Sequence, residues 1–216
     1  MSIQALIFDF DGTLAELNID FALMARRVQE LARDMGFRGP WPAGYTLEQM
    51  QAAAAVLGPD FQRRAQEIIE SMELEAAGRG RLFGFTRPLL VRAGERGLGL
   101  AVISRNCGAA IRQLLPEVDR LCQAFLPREA VSRPKPHPGH VLAACRALVV
   151  APASAAMIGD HPTDVQAARA AGCLAVGVAS GRVDAAGLRE AGAQVVLPDA
   201  GEVLGFLEGA VDFRRL

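Results

Sequence analysis

The stretch Ala5-Leu-Ile-Phe-Asp-Phe-Asp-Gly-Thr13 constrains the fold more than any other part of this chain. Five of its first six residues are apolar or aromatic with no helical period, which predicts a strand buried on both faces, as in a parallel sheet. Two carboxylates stand where that strand should end. Asp9 and Asp11 are two apart, and period-two geometry puts both on one side of the strand, at the carboxyl edge where open α/β sheets bind ligands. Gly12 then lets the chain turn away. The same residues also suit a plain Phe-Asp-Gly turn, in which the aspartates only cap backbone donors.

The chain can bury a substantial core: it has 216 residues, 51% of them hydrophobic. Its net charge of -1 supplies no field for nucleic acid or an anionic membrane, and no basic patch interleaves with aromatics. The expected partner is a small molecule. No apolar run reaches the roughly 18 residues of a membrane span. Met1-Ser2-Ile3-Gln4 lacks the basic region of a signal peptide. Cys107, Cys122, Cys145 and Cys173 are widely spaced with no Cys-x-x-Cys pair, which argues against zinc and for reduced thiols. The expected location is cytoplasmic.

After Thr13 the pattern becomes helical. Asn18 or Asp20 is placed to cap a segment carrying Phe21, Met24, Val28, Leu31 and Met35, ended by Gly36. Thr46-Leu-Glu-Gln49 fits a capping box opening a helix that stops near Gly58, and Asp60 is placed to cap a third that runs out at Gly78. The stretch from Gly78 to Gly84 is the expected exit linker. From Thr86 onward helices alternate with apolar runs, the signature of a doubly wound parallel sheet. The expected strands are Leu98 to Ile103, Gln123 to Leu126, Ala155 to Ile158, Leu174 to Val178 and Gln194 to Leu197. The expected organisation is an α/β, Rossmann-like core of residues 1–15 and 82–216, with residues 16–81 inserted as a small helical domain placed to act as a lid.

Each later strand end carries polar residues. Ile103 runs into Ser104-Arg105-Asn106, where a hydroxyl and free backbone donors suit a phosphate; Ser and Asn are equally ordinary cap residues. Of 23 basic residues, Lys135 is the single lysine, the other 22 being arginine. It lies in Arg133-Pro-Lys-Pro-His-Pro138, where alternating prolines impose a stiff, extended loop and aim the side chain. Elsewhere such a lysine would simply be solvated. Gly159-Asp160-His-Pro-Thr-Asp164 closes another strand. Pro162 suits a first helical position, which gives Asp164 a plain role as a helix N-terminal acid. Asp160, with Asp9 and Asp11 from another strand end, offers oxygen ligands for a hard cation such as Mg²⁺.

Taken in order, these pieces resemble the haloacid dehalogenase superfamily, whose members are mostly phosphatases. An Asp-x-Asp-Gly-Thr motif, a strand-end Ser or Thr, a Lys and a Gly-Asp-x-x-x-Asp motif form one site there. Here they match Asp9 to Thr13, Ser104, Lys135 and Gly159 to Asp164. The chain also looks like the subgroup with a helical cap inserted after the first motif, which includes phosphoglycolate phosphatases. The resemblance implies that Asp9 is a nucleophile forming an aspartyl phosphate and that Asp11 is the general acid and base. It implies Mg²⁺ held by the Asp9 carboxylate, the Asp11 carbonyl and Asp160, with Asp164 in the shell or orienting Asp160. Ser104, Arg105, Asn106 and Lys135 would bind the phosphoryl group of a small phosphorylated metabolite.

Other functions fit less well. A haloacid dehalogenase needs neither an acid two residues beyond the nucleophile nor a metal, and a phosphonate hydrolase of this family needs a cap lysine that this chain lacks. A phosphomutase would keep every core residue. A catalytically silent binding protein is the remaining alternative. Arg26, Arg27, Arg33, Arg63 and Arg64 suit either a substrate carboxylate or a solvated helix face.

Overall fold

The computed structural model describes residues 2–209; Met1 and residues 210–216, which the expected core boundaries include, lie outside that range. In chain order its helices and strands are β1 (Ala5–Phe8), β2 (Ala15–Glu16), α1 (Phe21–Asp34), α2 (Thr46–Leu57), α3 (Pro59–Arg79), β3 (Arg81–Leu82), α4 (Thr86–Glu95), β4 (Gly99–Ile103) and α5 (Gly108–Leu114). There follow α6 (Val118–Leu121), β5 (Ala124–Leu126), α7 (Gly139–Ala147), β6 (Ala155–Gly159), α8 (Pro162–Ala171), β7 (Leu174–Val178), α9 (Ala185–Glu190), β8 (Val195–Leu197) and α10 (Val203–Gly209).

Six strands form one parallel sheet in the order β5-β4-β1-β6-β7-β8. The first strand is therefore central. From it the chain builds outward through β4 and β5, then returns to the other side of β1 for β6, β7 and β8. The carboxyl ends of β4, β1 and β6 flank this reversal, the place where such sheets bind ligands. All four residues of β1 are fully buried, because helices cover both faces of a parallel sheet. Ala5 and Ile7, with Ala101, Ile103, Ala155, Met157 and Ala175, pack with Val141 and Ala144 of α7 and with Val165 and Ala168 of α8. The alternate residues Leu6, Phe8, Leu100, Val102 and Ile158 are equally buried, and period two sends them to the opposite face.

The chain divides into two compact units: residues up to Leu17 with those from Gly80 onward, and Asn18–Arg79. The expected exit linker is more ordered than a linker. Gly78 and Arg79 still belong to α3, and Arg81–Leu82 pairs antiparallel with Ala15–Glu16. Phe83 N–H also donates to the Leu14 carbonyl, at 3.0 Å.

Within the helical unit α1, α2 and α3 pack on one another. Asp20 caps α1 by accepting the Leu23 N–H at 2.8 Å, while Asn18 takes a left-handed backbone, φ 58°. Asn tolerates that conformation better than most residues. Met24, Val28 and Leu31 are buried as their spacing predicts, but Phe21 is exposed. Two expected caps are absent. Tyr45 occupies the N-cap of α2 without a side-chain capping bond; Thr46 is already helical, and Gln49 instead bonds Gln29 and the Pro42 carbonyl. The third helix opens at Pro59, whose fixed φ suits a first helical position. Asp60 thereby falls inside the first turn, where it pairs with Arg63.

Candidate active site

The nucleophile loop is built by hydrogen bonds rather than by strand alternation. The strand β1 stops at Phe8, and Asp9 continues the ladder only through its N–H, which donates to the Ile158 carbonyl at 2.9 Å. The chain then closes a tight turn. The N–H groups of Leu14 and Ala15 donate to the Phe10 carbonyl, and that of Gly12 to the Ala15 carbonyl. Asp11 is thus placed by this turn and not by a period-two extension of the strand. Its carboxylate accepts the Leu17 N–H at 2.9 Å. Burial pushes its pKa up to about 6; the Leu17 bond and Arg182 oppose that rise, and the Asp9 charge adds to it.

Lys135 is fully buried, so the solvated alternative is excluded. Its Nζ stands 2.9 Å from Asp9 Oδ1 and 2.6 Å from Asp164 Oδ1. Burial pulls the ammonium pKa down, but Asp164 and Asp9 outweigh it and the net shift is upward. Asp164 is the third residue of α8, where its Oδ2 accepts the His161 N–H at 3.1 Å and His161 caps in return through Thr163. Burial lifts the Asp164 pKa to about 7, with Asp9 adding to the rise and Lys135 opposing it.

Asp160, directly after β6, accepts a hydrogen bond from Thr13 Oγ1 at 3.3 Å. Its pKa is pushed well above the ordinary carboxylate value by burial and then by Asp9, Asp164 and Asp11. Two glycines make room for it: a β-carbon at Gly12, φ 82°, would lie 2.3 Å from Asp160 Oδ2, and one at Gly181 would lie 1.9 Å from it. Ligand oxygens of Asp9, Asp160 and Asp164 lie within 4.8 Å of one another. One lysine faces this crowd of carboxylates, and the Asp9 charge helps to raise the pKa of both Asp160 and Asp164. A hard divalent cation bound by oxygen fits that donor set and would relieve the repulsion. The Asp11 carboxylate is not part of this cluster, which leaves its backbone carbonyl as the atom that the family resemblance assigns to metal.

The strand-end cradle expected at Ser104 is more self-contained than the sequence suggests. Ser104 is fully buried, its N–H donates to the Leu126 carbonyl at 3.2 Å, and its Oγ–H donates to Asn106 Oδ1 at 3.0 Å. Asn106 N–H returns a bond to Ser104 Oγ at 3.1 Å, and Gly108 N–H goes to Glu129 at 2.8 Å. These backbone donors are engaged within the protein and are not free. The Arg105 side chain donates to the Lys135 carbonyl, and Arg128 donates to the Arg105 carbonyl at 2.8 Å. Arg105 is therefore joined to the lysine loop.

Two parts of the site were absent from the sequence reading. The loop after β7 brings Ser180, whose hydroxyl donates to the Gly12 carbonyl at 2.7 Å, together with Gly181 and Arg182. Arg182 acts electrostatically on both Asp11 and His161. The run Val178-Ala-Ser-Gly-Arg182 is another strand ending in polar residues, the same signal that marked the other loops. The second is His140, buried beside Lys135.

A family model described as haloacid dehalogenase-like hydrolase matches residues 6–178. Over 194 residues the chain is 28% identical to an N-acetylmuramic acid 6-phosphate phosphatase from Pseudomonas putida, covering 85% of this chain and 86% of that one. Over 199 residues it is 31% identical to a phosphoglycolate phosphatase from Neisseria meningitidis, covering 84% and 83%. Among solved structures, a hydrolase from Pseudomonas syringae superposes with a TM-score of 0.74 at 20% identity, covering 97% of this chain and 100% of that one. At that identity the superposition speaks to fold alone.

Proposed function

This chain belongs to the haloacid dehalogenase-like hydrolase family, and we propose that it is a Mg²⁺-dependent phosphatase of small phosphate monoesters acting through an aspartyl phosphate. The observation that carries this reading is a convergence. The Asp9 carboxylate and those of Asp160 and Asp164, from a distant part of the chain, cluster with the single lysine, whose Nζ is 2.9 Å from Asp9. Relatives that act on N-acetylmuramic acid 6-phosphate and phosphoglycolate support a substrate that pairs a phosphate ester with a carboxylate.

In the proposed reaction Asp9 attacks phosphorus, an Asp9–phosphorus bond forms, and the ester oxygen leaves. Asp11 gives its proton to that oxygen; a carboxyl lifted toward pKa 6 by burial holds a transferable proton near neutrality. Asp11 then takes a proton from water as it attacks the phosphoenzyme, and the Asp9 carboxylate is restored. A carboxylate approaching a phosphate dianion meets about 4 kcal/mol of repulsion per charge pair at about 4 Å and an effective dielectric near 20. Lys135 offsets part of it. Mg²⁺, held by the Asp9 carboxylate, the Asp11 carbonyl and Asp160, would supply the rest of the positive charge. Asp164, engaged with Lys135 and His161 N–H, orients the cluster. The Ser104 hydroxyl can turn its one proton from Asn106 toward a phosphoryl oxygen, with Arg105 and Asn106 completing the cradle. The helical unit is proposed as the cap that selects the substrate.

The test is phosphate release by purified protein from a panel of monoesters, phosphoglycolate and N-acetylmuramic acid 6-phosphate included, with Mg²⁺ and with EDTA. Release that requires Mg²⁺ and disappears in Asp9→Asn is expected. Activity undiminished by EDTA would overturn the metal dependence.

A further inference from the structure

His140, in the first turn of α7, is fully buried and bonds both the Lys135 loop and the end of β5. Its Nδ1 lies 3.3 Å from the Lys135 backbone nitrogen, and its Nε2 lies 2.9 Å from the Leu126 carbonyl. A backbone N–H can only donate and a carbonyl can only accept. Both contacts therefore demand the same neutral tautomer, with the proton on Nε2 and the lone pair on Nδ1. The Leu126 carbonyl, at the end of β5, also accepts the Ser104 N–H from the end of β4. One imidazole thus completes a continuous path from Ser104 through Leu126 and His140 to Lys135.

The far side of Lys135 is held as well, since Arg105 donates to its carbonyl. Both backbone polar groups of the lysine are fixed, one by His140 and the other by Arg105. Burial and the neighbouring Lys135 charge drive the His140 pKa down to about 4, so the imidazole keeps this tautomer through neutral pH.

We propose that His140 is a positioning residue: it locks the Lys135 loop to the Ser104 strand end, so that Nζ is held between Asp9 and Asp164 during phosphoryl transfer. The proposal rests on the phosphatase reading above. His140 touches no reacting atom, and its effect passes through Lys135. A displacement of about 1 Å at a charged contact of this kind can cost on the order of 100-fold in rate.

Two amides separate the two bonds. In His140→Asn the side-chain oxygen replaces Nδ1 and still accepts from Lys135, while the Leu126 carbonyl loses the imidazole donor and keeps that of Ser104 N–H. In His140→Gln the amide reaches the Nε2 position and still donates to Leu126, while Lys135 N–H loses its acceptor. Each variant forfeits one buried hydrogen bond, and under a merely structural role the loss of activity would follow the loss of stability in each. The proposal expects kcat on p-nitrophenyl phosphate at saturating Mg²⁺ to fall at least tenfold in His140→Gln with KM little changed, and to be rescued to within threefold of wild type in His140→Asn. Equal losses, or wild-type kcat in His140→Gln, would overturn it. If neither variant folds, ¹⁵N-histidine spectra of the wild-type protein decide: a neutral Nε2–H tautomer from pH 5 to 9 supports the clamp, and an Nδ1–H tautomer overturns it. A wild-type protein that releases no phosphate would instead overturn the phosphatase reading, with the tautomer still deciding whether the clamp exists.

Discussion

Gly181 and Asp160 are so close that a β-carbon on the glycine would stand 1.9 Å from the carboxylate oxygen. Contact at that distance is impossible, so Gly181→Ala must move either the aspartate or the loop carrying Ser180 and Arg182. The same carboxylate oxygen also lies against Gly12, where a β-carbon would stand 2.3 Å away, so Asp160 is closely packed against both glycines. We expect Gly181→Ala to weaken Mg²⁺ binding at least tenfold by titration calorimetry and to lower kcat/KM by about 100-fold, the order of loss that misplacing a reacting group by about 1 Å brings. Wild-type affinity for Mg²⁺ would mean that Asp160 does not hold the metal.

The Asp11 carboxylate lies outside the carboxylate cluster and accepts the Leu17 N–H, which leaves this side chain for proton transfer while the backbone carbonyl keeps the proposed metal role. Its loss should therefore depend on the leaving group. Asp11→Asn is expected to lower kcat for alkyl phosphates at least tenfold more than for p-nitrophenyl phosphate, whose phenolate needs no proton to depart. Equal losses on the two classes would remove the acid role.

Strand positions were legible because each apolar run is bounded by polar or turn residues; Leu174–Val178 begins and ends as expected. The residues at three strand ends were legible because carboxylates and a lone lysine are costly to bury without a purpose. What escaped depends on contacts that local sequence does not encode. Gly181 is an ordinary loop glycine until β7 is seen to lie beside β6 and bring it against Asp160. His140 gains its meaning from a carbonyl at the end of β5. The missed caps at Thr46 and Asp60 show local signals overridden by a proline and by Gln49 finding partners farther off.

Lys135 is the only lysine among 22 arginines, and it fills a closed space between two carboxylates. A guanidinium is planar and wide, whereas an ammonium is a compact point charge with three donors. Lys135→Arg keeps the charge yet must push Asp9 or Asp164 aside. The expected loss is at least about 100-fold in kcat/KM, near 2.7 kcal/mol of transition-state stabilisation. Overpacking a buried site should also cost about 1–3 kcal/mol of stability. Steady-state kinetics at saturating Mg²⁺ with parallel thermal melts check both. A loss below threefold would separate Lys135 from the chemistry.

His140 also carries a stability prediction whose sign follows from its burial. Its folded pKa is lowered from 6.5 to about 4 by desolvation and by Lys135. Between those values the unfolded chain binds a proton that the folded chain refuses, so this residue makes stability rise with pH. Its contribution is complete above about pH 6.5 and is lost as pH falls toward 4, amounting to roughly 3 kcal/mol at 1.36 kcal/mol per pKa unit. Asp11, Asp160 and Asp164, whose folded pKa values are raised, act in the opposite direction over an overlapping range, and His161, also lowered, acts in the same one. Net stability of the wild type alone is therefore a poor measure. The difference between wild type and His140→Asn cancels the shared groups, because asparagine does not titrate. Urea unfolding of both proteins in EDTA from pH 7.5 to 4 should show the wild type losing about 3 kcal/mol relative to the variant. A flat difference curve would mean that the imidazole is protonated in the fold, and would break the hydrogen bond from Lys135 N–H on which its position depends.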